Sequence, residues 1–187
     1  MAHFARIKQV LNSETNEQDW VVQEVIVASN DISTAEGPLG ENDMHVDGET
    51  YVANMFKHMY SENENVWKQT SYNQTFRNRF AGKGDIFLET ADKFISPKPY
   101  DSWHLSNETF NWVAPIEYPS VVDYDNPLAG QDIVDENGVV IGTQPQKAEY
   151  KIMWKEDLQK WQAMASHLEI NAMSHEWNPD TETWVEL

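Results

Sequence analysis

Histidine, aspartate and glutamate are the residues of this sequence that could bind a metal ion or act in catalysis. Their spacing shows whether they are placed to do so. A histidine-based metal site needs ligands at short spacings, such as His-Glu-x-x-His on one helix face. That motif is absent, and so are the Gly-x-Ser-x-Gly elbow of hydrolases and the phosphate-binding P-loop. The histidines are spread along the chain: His3, His45, His58, His104, His167 and His175. We interpret them as surface or packing residues and expect no catalytic residue and no enzyme.

Two short stretches could bind an ion. Asp123 and Asp125 could hold Ca²⁺ together with backbone carbonyls, and Gly82-Lys83-Gly84 has two of the glycines that a phosphate loop needs. However, an Asp-rich loop is more often a solvated turn, and Gly-x-Gly more often a bend in a strand. With 31 acidic residues in the chain, chance pairs of carboxylates predict no acid–base catalysis. We predict neither a metal site nor a cofactor.

The charge of the chain disfavours some partners. The 187 residues include 31 Asp and Glu against 13 Lys and Arg, a formal net charge of −18. Such a field repels phosphate backbones and anionic lipids, so we expect neither nucleic acid nor a membrane as partner. There is no cysteine, no signal-peptide core near the N-terminus and no run of about 18 apolar residues. We expect a protein that is made and assembled in a cytosol.

Residues 1–97 predict an N-terminal α+β domain, whose strands and helix would position the side chains considered above. Residues 19–30 are rich in Val and Ile, and residues 3–11 precede them as a second candidate strand. They predict an antiparallel pair of strands around a polar loop at 12–18. The second strand is expected to be buried on both faces around Val25–Val27, where three β-branched residues follow one another.

The rest of this domain predicts one helix and two further strands. Residues 66–87 are aromatic and β-branched, and they predict two strands joined near Asn73–Gln74, with a bend at Gly82-Lys83-Gly84. Residues 48–61 predict a helix because one stripe of apolar residues recurs at helical spacing. The stripe consists of Tyr51, Met55, Phe56 and Met59.

Prolines divide the chain from Pro97 onward and predict extended connections between short elements. Residues 98–120 are predicted to be a proline-flanked hairpin connector, and residues 121–187 a C-terminal region of hairpins. Within that region, Asn137-Gly138 lies between two apolar runs of residues 132–142. Asn-Gly is typical of a type I′ turn, in which both residues have positive φ, so these residues predict a hairpin.

A recurring spacing predicts further hairpins. A large apolar residue, six mostly polar residues and a second large apolar residue follow one another at four places. They are Phe87 and Phe94, Leu105 and Trp112, Trp154 and Trp161, and Trp177 and Trp184. If the six residues close a hairpin, the flanking pair meets across the strands, which stabilises by about 0.5–1 kcal/mol. In the last of these, Pro179 suits the turn and the Asn178 side chain can accept its backbone N–H groups.

Residues 154–170 allow a second interpretation. No Gly, Pro or Asn interrupts them, and their apolar residues also recur at helical spacing. These are Trp154, Leu158, Trp161, Ala165 and Leu168. We favour the hairpin, and a helix over 154–170 is the alternative. The predicted fold is mainly β, with antiparallel strands and one clear helix followed by tryptophan-bearing hairpins.

Several blocks of the sequence resemble a known family. They are MAHFARI, VVQEVIVASN, WKQTSYNQTFRNRFAGKGDIF and FISPKPYDSWHLSNETFNWVAPIEYP, in that order within residues 1–119. Together with the closing Trp177–Trp184 hairpin, they resemble a family of small virion-associated structural proteins of tailed phages that infect marine cyanobacteria. The loop at 12–18 looks longer than is usual in that family, and residues 121–174 have no counterpart there.

The resemblance implies a phage-encoded protein of the virion without enzymatic activity. We predict that it decorates the capsid or tail through contacts with other virion proteins. The alternative is a receptor- or glycan-binding module at a tail or fibre tip, whose tryptophan faces stack on sugar rings. Trp103 and Trp112 are the first candidates for an exposed interface, because prolines on both sides isolate their hairpin from the rest of the chain.

Overall fold

The computed structural model describes the following residues of the chain: 1–13, 15–35, 37–39, 46–165 and 173–187. The protein is mainly β, with antiparallel sheets and one α-helix in these residues, as predicted. It divides into two compact units. The N-terminal unit comprises Met1–Pro99 and Leu105–Trp112, and the C-terminal unit comprises Tyr100–His104 and Val113–Leu187. The segment predicted as a connector, 98–120, is thus divided between the two units.

The N-terminal unit is built on one antiparallel sheet and one helix. Its elements are β1 (Ala2–Leu11), β2 (Gln18–Ala28), β3 (Ser33–Thr34), β4 (Gly37–Pro38), α1 (Val46–Phe56), β5 (Val66–Thr70), β6 (Ile86–Leu88) and β7 (Lys93–Ile95). The five-stranded sheet has the order β5-β1-β2-β6-β7, and β3 pairs with β4. The predicted antiparallel pair at the start of the chain is β1 and β2.

Strand β1 buries side chains on both faces, because successive residues of a strand point to opposite sides. On one face, Phe4 packs with Val52 of α1 and Trp67 of β5. On the other face, Ile7 packs with Phe87 of β6. The sheet therefore has an apolar cluster on each side.

Burial on β2 is less complete than predicted. Val25 packs against the cluster of Ile7, and Ile26 packs against the cluster of Phe4, so the two faces are covered at these positions. Val27 shares the face of Val25 but lies beyond that cluster and is 53% exposed. The prediction of double-sided burial is wrong at Val27.

Helix α1 forms where it is predicted, but with a different buried face. Val52 is fully buried, and Tyr51 and Phe56 pack in the same cluster. Met55 and Met59 of the predicted stripe are both exposed. The helix ends at Phe56, so Met59 lies in the following turn and cannot extend a helical stripe. The buried stripe is centred on Val52 and Phe56, which are four residues apart.

Only one of the two strands predicted within residues 66–87 forms before β6. After β5 the chain continues in turns and bends. Gln74, Arg77 and Asn78 have φ angles of 57°, 55° and 72°. These left-handed values interrupt a strand, so the prediction of a second strand here is wrong.

The bend predicted at Gly82-Lys83-Gly84 is present and joins this loop to β2. Gly84 has a φ of 91°, which a residue without Cβ adopts without strain. Its N–H donates to the Val22 carbonyl at 2.9 Å, and the Val22 N–H donates to the Asp85 carbonyl at 2.8 Å. The bend at Gly84 therefore connects the loop to the central strand β2 just before β6 begins.

Nine strands follow in the described residues after β7. They are β8 (His104–Leu105), β9 (Trp112–Val113), β10 (Asp123–Asp125), β11 (Asp132–Val134), β12 (Val140–Thr143), β13 (Lys147–Lys155), β14 (Lys160–Ala165), β15 (His175–Asn178) and β16 (Thr183–Glu186). Five of them form a sheet of order β10-β13-β14-β15-β16, while β8 pairs with β9 and β11 with β12. Because β13 and β14 form a hairpin, the helix alternative is wrong over residues 154–165. Residues 166–170 of that alternative lie outside the described residues.

All four aromatic spacings lie in hairpins, as predicted. Three pairs are direct cross-strand partners: Phe87 with Phe94, Trp154 with Trp161, and Trp177 with Trp184. Leu105 and Trp112 lie in the paired strands β8 and β9.

These four hairpins share one loop geometry. In each, the residue two positions before the second aromatic partner has a φ between 50° and 53°. These residues are Asp92, Phe110, Gln159 and Glu182. In the last hairpin, the Asn178 Oδ1 accepts the N–H groups of Asp180 and Thr181 at 3.0 and 3.3 Å, as predicted. Leu158, in the turn of the third hairpin, is half exposed.

The hairpin predicted at 132–142 is present as β11 and β12, but its turn is not type I′. Gly138 has a φ of 78°, while Asn137 is absent from the residues with positive φ. The Gly138 N–H donates to the Asp135 carbonyl at 3.0 Å, which is typical of a type I turn followed by a left-handed glycine. The Asp135 Oδ1 accepts the N–H groups of Asn137 and Val139 at 2.9 Å each, which favours this turn over type I′.

Candidate interaction surfaces

The predicted hairpin-packing tryptophans form the core of the C-terminal unit. Trp154, Trp161 and Trp177 are buried in one cluster, with Trp184 partly buried against it. The ring centroids lie 5.1 Å apart in the Trp154–Trp161 pair and 5.2 Å apart in the Trp177–Trp184 pair, both edge to face. The polar edges are paired as well, since the Trp161 Nε1 donates to the Ile116 carbonyl at 2.9 Å. These rings stabilise their own unit and leave little face for a ligand.

Trp103 belongs to the same cluster. Its ring centroid lies 6.2 Å from that of Trp154 and 5.9 Å from that of Trp161. Its Nε1 is buried and has no hydrogen-bond acceptor among the described residues. The premise that the prolines isolate Trp103 is therefore wrong, because its partners lie about fifty residues further along the chain.

Trp112 and the phenylalanine pair lie in the N-terminal unit. The Trp112 Nε1 donates to the Ser96 carbonyl at 2.8 Å, and the Lys98 ammonium lies 5.9 Å from its ring centroid. Phe87 and Phe94 are core residues of the sheet. The eight aromatic residues predicted from the sequence therefore lie in two separate units and form no single surface.

An exposed apolar surface occurs instead on the hairpin of β11 and β12, which we call the arm (residues 132–143). Each of its strands pairs only with the other in the described part of the chain. Four of its five large apolar residues are between 53% and 66% exposed and occur on both faces of the hairpin: Val134, Val139, Val140 and Ile141. The fifth, Ile133, is partly buried. A lone two-stranded hairpin is marginally stable in water, and an exposed apolar group of this kind is typical of a contact site.

The surroundings of the arm are acidic. Between Glu117 and Glu149 the sequence has seven carboxylates and one basic residue, Lys147. The backbone N–H groups of Val139 and Asn137 hold the pKa of the Asp135 carboxyl below its ordinary value, so this group is ionised at neutral pH. The arm therefore combines apolar side chains with negative charge.

The two aspartates considered for calcium are paired with a lysine. The Lys147 ammonium lies 2.8 Å from the Asp125 carboxylate and 3.6 Å from that of Asp123. This hydrogen bond lowers the pKa of Asp125 and raises that of Lys147. Within the described residues, no three histidine or acidic side chains are placed to hold a metal ion. His45 and His167 lie outside those residues.

A cavity of about 460 Å³ lies in the C-terminal unit beside Trp177 and the last strand. Apolar side chains contribute to its lining, among them those of Ile116 and Val185. Two of its polar groups, Lys160 and Glu176, form an ion pair with each other, which lowers the pKa of Glu176. It therefore offers apolar contact more than polar recognition.

A second kind of cavity lies in the N-terminal unit, and we call it the amide cavity. It has a volume of about 290 Å³ and is lined by Gln74, Asn78, Arg79, Phe80 and Asn111. Three of the five side chains are carboxamides, and none is acidic. The Asn78 Nδ2 donates to the Phe94 carbonyl at 3.1 Å, which fixes the orientation of that amide.

A buried arginine positions the loop that lines the amide cavity. Arg77 is 7% exposed, and its Nη1 donates to the Glu49 carboxylate at 2.6 Å and to the Gln69 carbonyl at 2.8 Å. Its Nε donates to the Asp92 carboxylate at 2.8 Å. The guanidinium thus joins α1, β5 and the β6–β7 hairpin. This network could not be predicted, because the partners of Arg77 lie up to 28 residues away along the chain.

Comparison with known proteins found no relative of this chain. No protein-family model, no curated protein and no solved structure matches the chain. The resemblance to structural proteins of cyanobacterial phages stays a prediction. In the described residues, the single helix is too short to cross a membrane.

Proposed function

We propose that this protein is a structural component of a phage virion, which decorates the capsid or tail through protein–protein contacts made by the arm. The arm carries the proposal, because it exposes four large apolar residues on strands that no other described strand covers. A surface of this kind is costly in water unless a partner buries it. The resemblance of residues 1–119 supports the virion as the place where that partner is found.

The partner we infer is another virion protein, and not a second copy of this chain. Two copies would bring charges of −18 together, and the segment around the arm is itself acidic. Like charges across an interface cost several kcal/mol, whereas Lys and Arg around an apolar patch would complement the arm. We therefore expect the partner to present an apolar strand edge or groove with basic residues at its rim.

Burial of apolar area, and not charge, holds the contact in this proposal. Screening shortens the reach of charge from about 10 Å at 0.1 M salt to about 3 Å at 1 M. Apolar burial is not weakened in this way. The protein should therefore stay on virions washed with 1 M salt, although salt should slow its association.

The test uses virions assembled with variants of the full-length protein. Val140→Thr with Ile141→Thr removes apolar area from the arm while keeping β-branched residues, so the strands themselves are preserved. The matched control is Val27→Thr, an equally exposed valine of the N-terminal unit. We expect wild type and control to sediment with particles after the salt wash, and the arm variant to be released. Equal retention of all three would contradict docking through the arm, and absence of the wild-type protein from purified virions would contradict the function.

The alternative function, a receptor- or glycan-binding module at a tail or fibre tip, stays a prediction. It was based on tryptophan faces, and three of the tryptophans concerned are buried in the core of their unit. The observation that bears on sugars lies elsewhere, in the amide cavity.

A further inference from the structure

We propose that the amide cavity of the N-terminal unit binds a neutral saccharide, through the carboxamides of Gln74 and Asn111, the carbonyl Oδ1 of Asn78, whose Nδ2 already donates to the Phe94 and Phe110 carbonyls, and the ring of Phe80. This inference does not rest on the virion function, because the cavity and the arm lie in different units of the chain. Nor does it use the tryptophans from which a glycan site was first predicted.

The chemistry of the lining matches vicinal hydroxyl groups. A carboxamide carries two N–H donors and a carbonyl acceptor in one plane, so it can donate to one hydroxyl and accept from its neighbour. The side chains of Gln74 and Asn111 make no hydrogen bond to another residue in the described part of the chain, so both are available. They come from different segments, 37 residues apart in the sequence, and meet at one cavity.

The charge of the cavity points to a neutral ligand. Arg79 is its one charged lining residue, and the Arg79 Nε lies 3.4 Å from the Asp85 carboxylate. This ion pair offsets the positive charge that would attract a phosphate or carboxylate. The overall charge of −18 further disfavours an anionic polysaccharide.

An aromatic rim adds the apolar contact that the C–H face of a sugar ring needs. The Phe80 ring lines the cavity and meets the Tyr72 ring edge to face, with centroids 5.4 Å apart. Tyr72 is 65% exposed and adjoins the same rim. Phe80 adds a small apolar contact for the C–H face of a sugar ring, while the carboxamides contact its hydroxyl groups.

The backbone of the loop is strained and held in place. Gln74, Arg77 and Asn78 all adopt left-handed φ angles, which are unfavourable for residues other than glycine. Such outliers persist where the surroundings fix them, and they occur often at binding sites. Here the buried Arg77 fixes the loop, so the cavity is formed before a ligand arrives.

The size of the cavity limits the ligand. Its volume of about 290 Å³ lies just below the range of about 300–1,000 Å³ found for ligand sites. One sugar ring, or the terminal ring of a longer glycan, fits this limit. Affinity for a single ring should be weak, with a Kd on the order of 1–10 mM.

The experiment is an NMR titration of the full-length protein with methyl glycosides of glucose, galactose and mannose, each to about 50 mM. Acetate and inorganic phosphate are the charged probes. Gln74→Ala is compared with Asn73→Ala, and Asn111→Ala with Asn107→Ala, because each control removes an exposed amide that does not line the cavity. Unchanged spectra away from the cavity verify that each variant is folded.

We expect at least one neutral glycoside to shift the amide signals of the cavity residues and to saturate. Each lining variant should weaken binding about fivefold or more, and each control less than about twofold. No saturation with any glycoside would overturn the proposal, and so would binding of acetate or phosphate alone. Equal weakening by Asn111→Ala and Asn107→Ala, or signal shifts confined to the C-terminal unit, would also overturn it.

Discussion

The N-terminal unit contains a buried arginine that joins its helix to two separate parts of its sheet, whereas the C-terminal unit packs tryptophans from consecutive hairpins against one another. Arg77 contacts partners 8, 15 and 28 residues away. In contrast, Trp154 and Trp161, like Trp177 and Trp184, are separated by seven. One unit thus depends on a long-range polar network and the other on repeated local pairs.

The two arrangements respond differently to the loss of one residue. Removing one partner of a buried ion pair leaves a charge without compensation in a region of low dielectric. Removing one ring of a hairpin pair loses apolar contact and creates a cavity, but leaves no charge behind. A single substitution should therefore lower the free energy of unfolding more in the N-terminal unit than in the C-terminal unit.

The largest effect is expected for Arg77→Met. The substitution keeps most of the side-chain volume but leaves the Glu49 carboxylate, which is largely buried, without its closest cation. We expect the free energy of unfolding of the N-terminal unit to fall by about 3–5 kcal/mol. Native-state hydrogen exchange should show faster exchange for β1 amides, and little change for β14 amides, which report the other unit.

Lys57→Met is the matched control, because Lys57 is exposed and follows the helix that carries Glu49. Its effect should stay within about 0.5 kcal/mol. A loss below about 1 kcal/mol for Arg77→Met would mean that the network is not what stabilises this unit, and the comparison would lose its basis.

A smaller effect is expected for the coupling between Trp177 and Trp184. Each ring contributes separately to the cluster, but their edge-to-face contact at 5.2 Å is a pairwise term. In a double-mutant cycle of Trp177→Ala and Trp184→Ala, we expect a coupling energy of about 0.5–1 kcal/mol in urea unfolding. The cycle of Trp177→Ala with Val27→Ala, in the other unit, should give none. Zero coupling in the first cycle would remove the cross-strand pair as a source of stability.

The same contrast of local and long-range contacts explains which parts of the fold could be predicted. All four hairpins with aromatic spacing follow from signals within eight residues, and so does the Asn178 turn. The prediction of a second strand within 66–87 was wrong because two partners of Arg77, Glu49 and Asp92, lie outside that window. Phe76 and Phe80 favour a strand, but the tertiary bonds select a loop with left-handed residues.

The candidate sites follow the same rule. The hairpin of the arm was predicted from Asn137-Gly138 between two apolar runs. That local pattern cannot show that neither strand has a further neighbour in the described part of the chain. The prediction of a type I′ turn was wrong because the Asp135 carboxylate accepts hydrogen bonds from the turn backbone. The Asn-Gly preference for type I′ turns takes no account of that side chain. The amide cavity could not be predicted, because Gln74 and Asn111 come together only in the folded unit.

The smallest effect tests the loop geometry that the two units share. Glu182 and Asp92 occupy the same hairpin position with φ angles of 52° and 51°. Glycine removes a left-handed strain of about 1–2 kcal/mol but loses about 0.4–1 kcal/mol through the entropy of the unfolded chain. The Glu182 side chain makes no hydrogen bond or ion pair in the described part of the chain, so Glu182→Gly should stabilise by about 0.5–1 kcal/mol in urea unfolding. Asp92→Gly relieves less strain, because Asp tolerates left-handed φ better than Glu, and it breaks the bond to buried Arg77, so it should destabilise the N-terminal unit. Thr181→Gly, one residue before the left-handed position, relieves no strain; it adds the entropic loss and removes the 2.8 Å hydrogen bond between the Thr181 and Thr183 hydroxyls, so it should destabilise. Equal stabilisation by Glu182→Gly and Asp92→Gly would show that the Asp92–Arg77 bond contributes nothing, and the distinction between the two units would then rest on Glu49 alone.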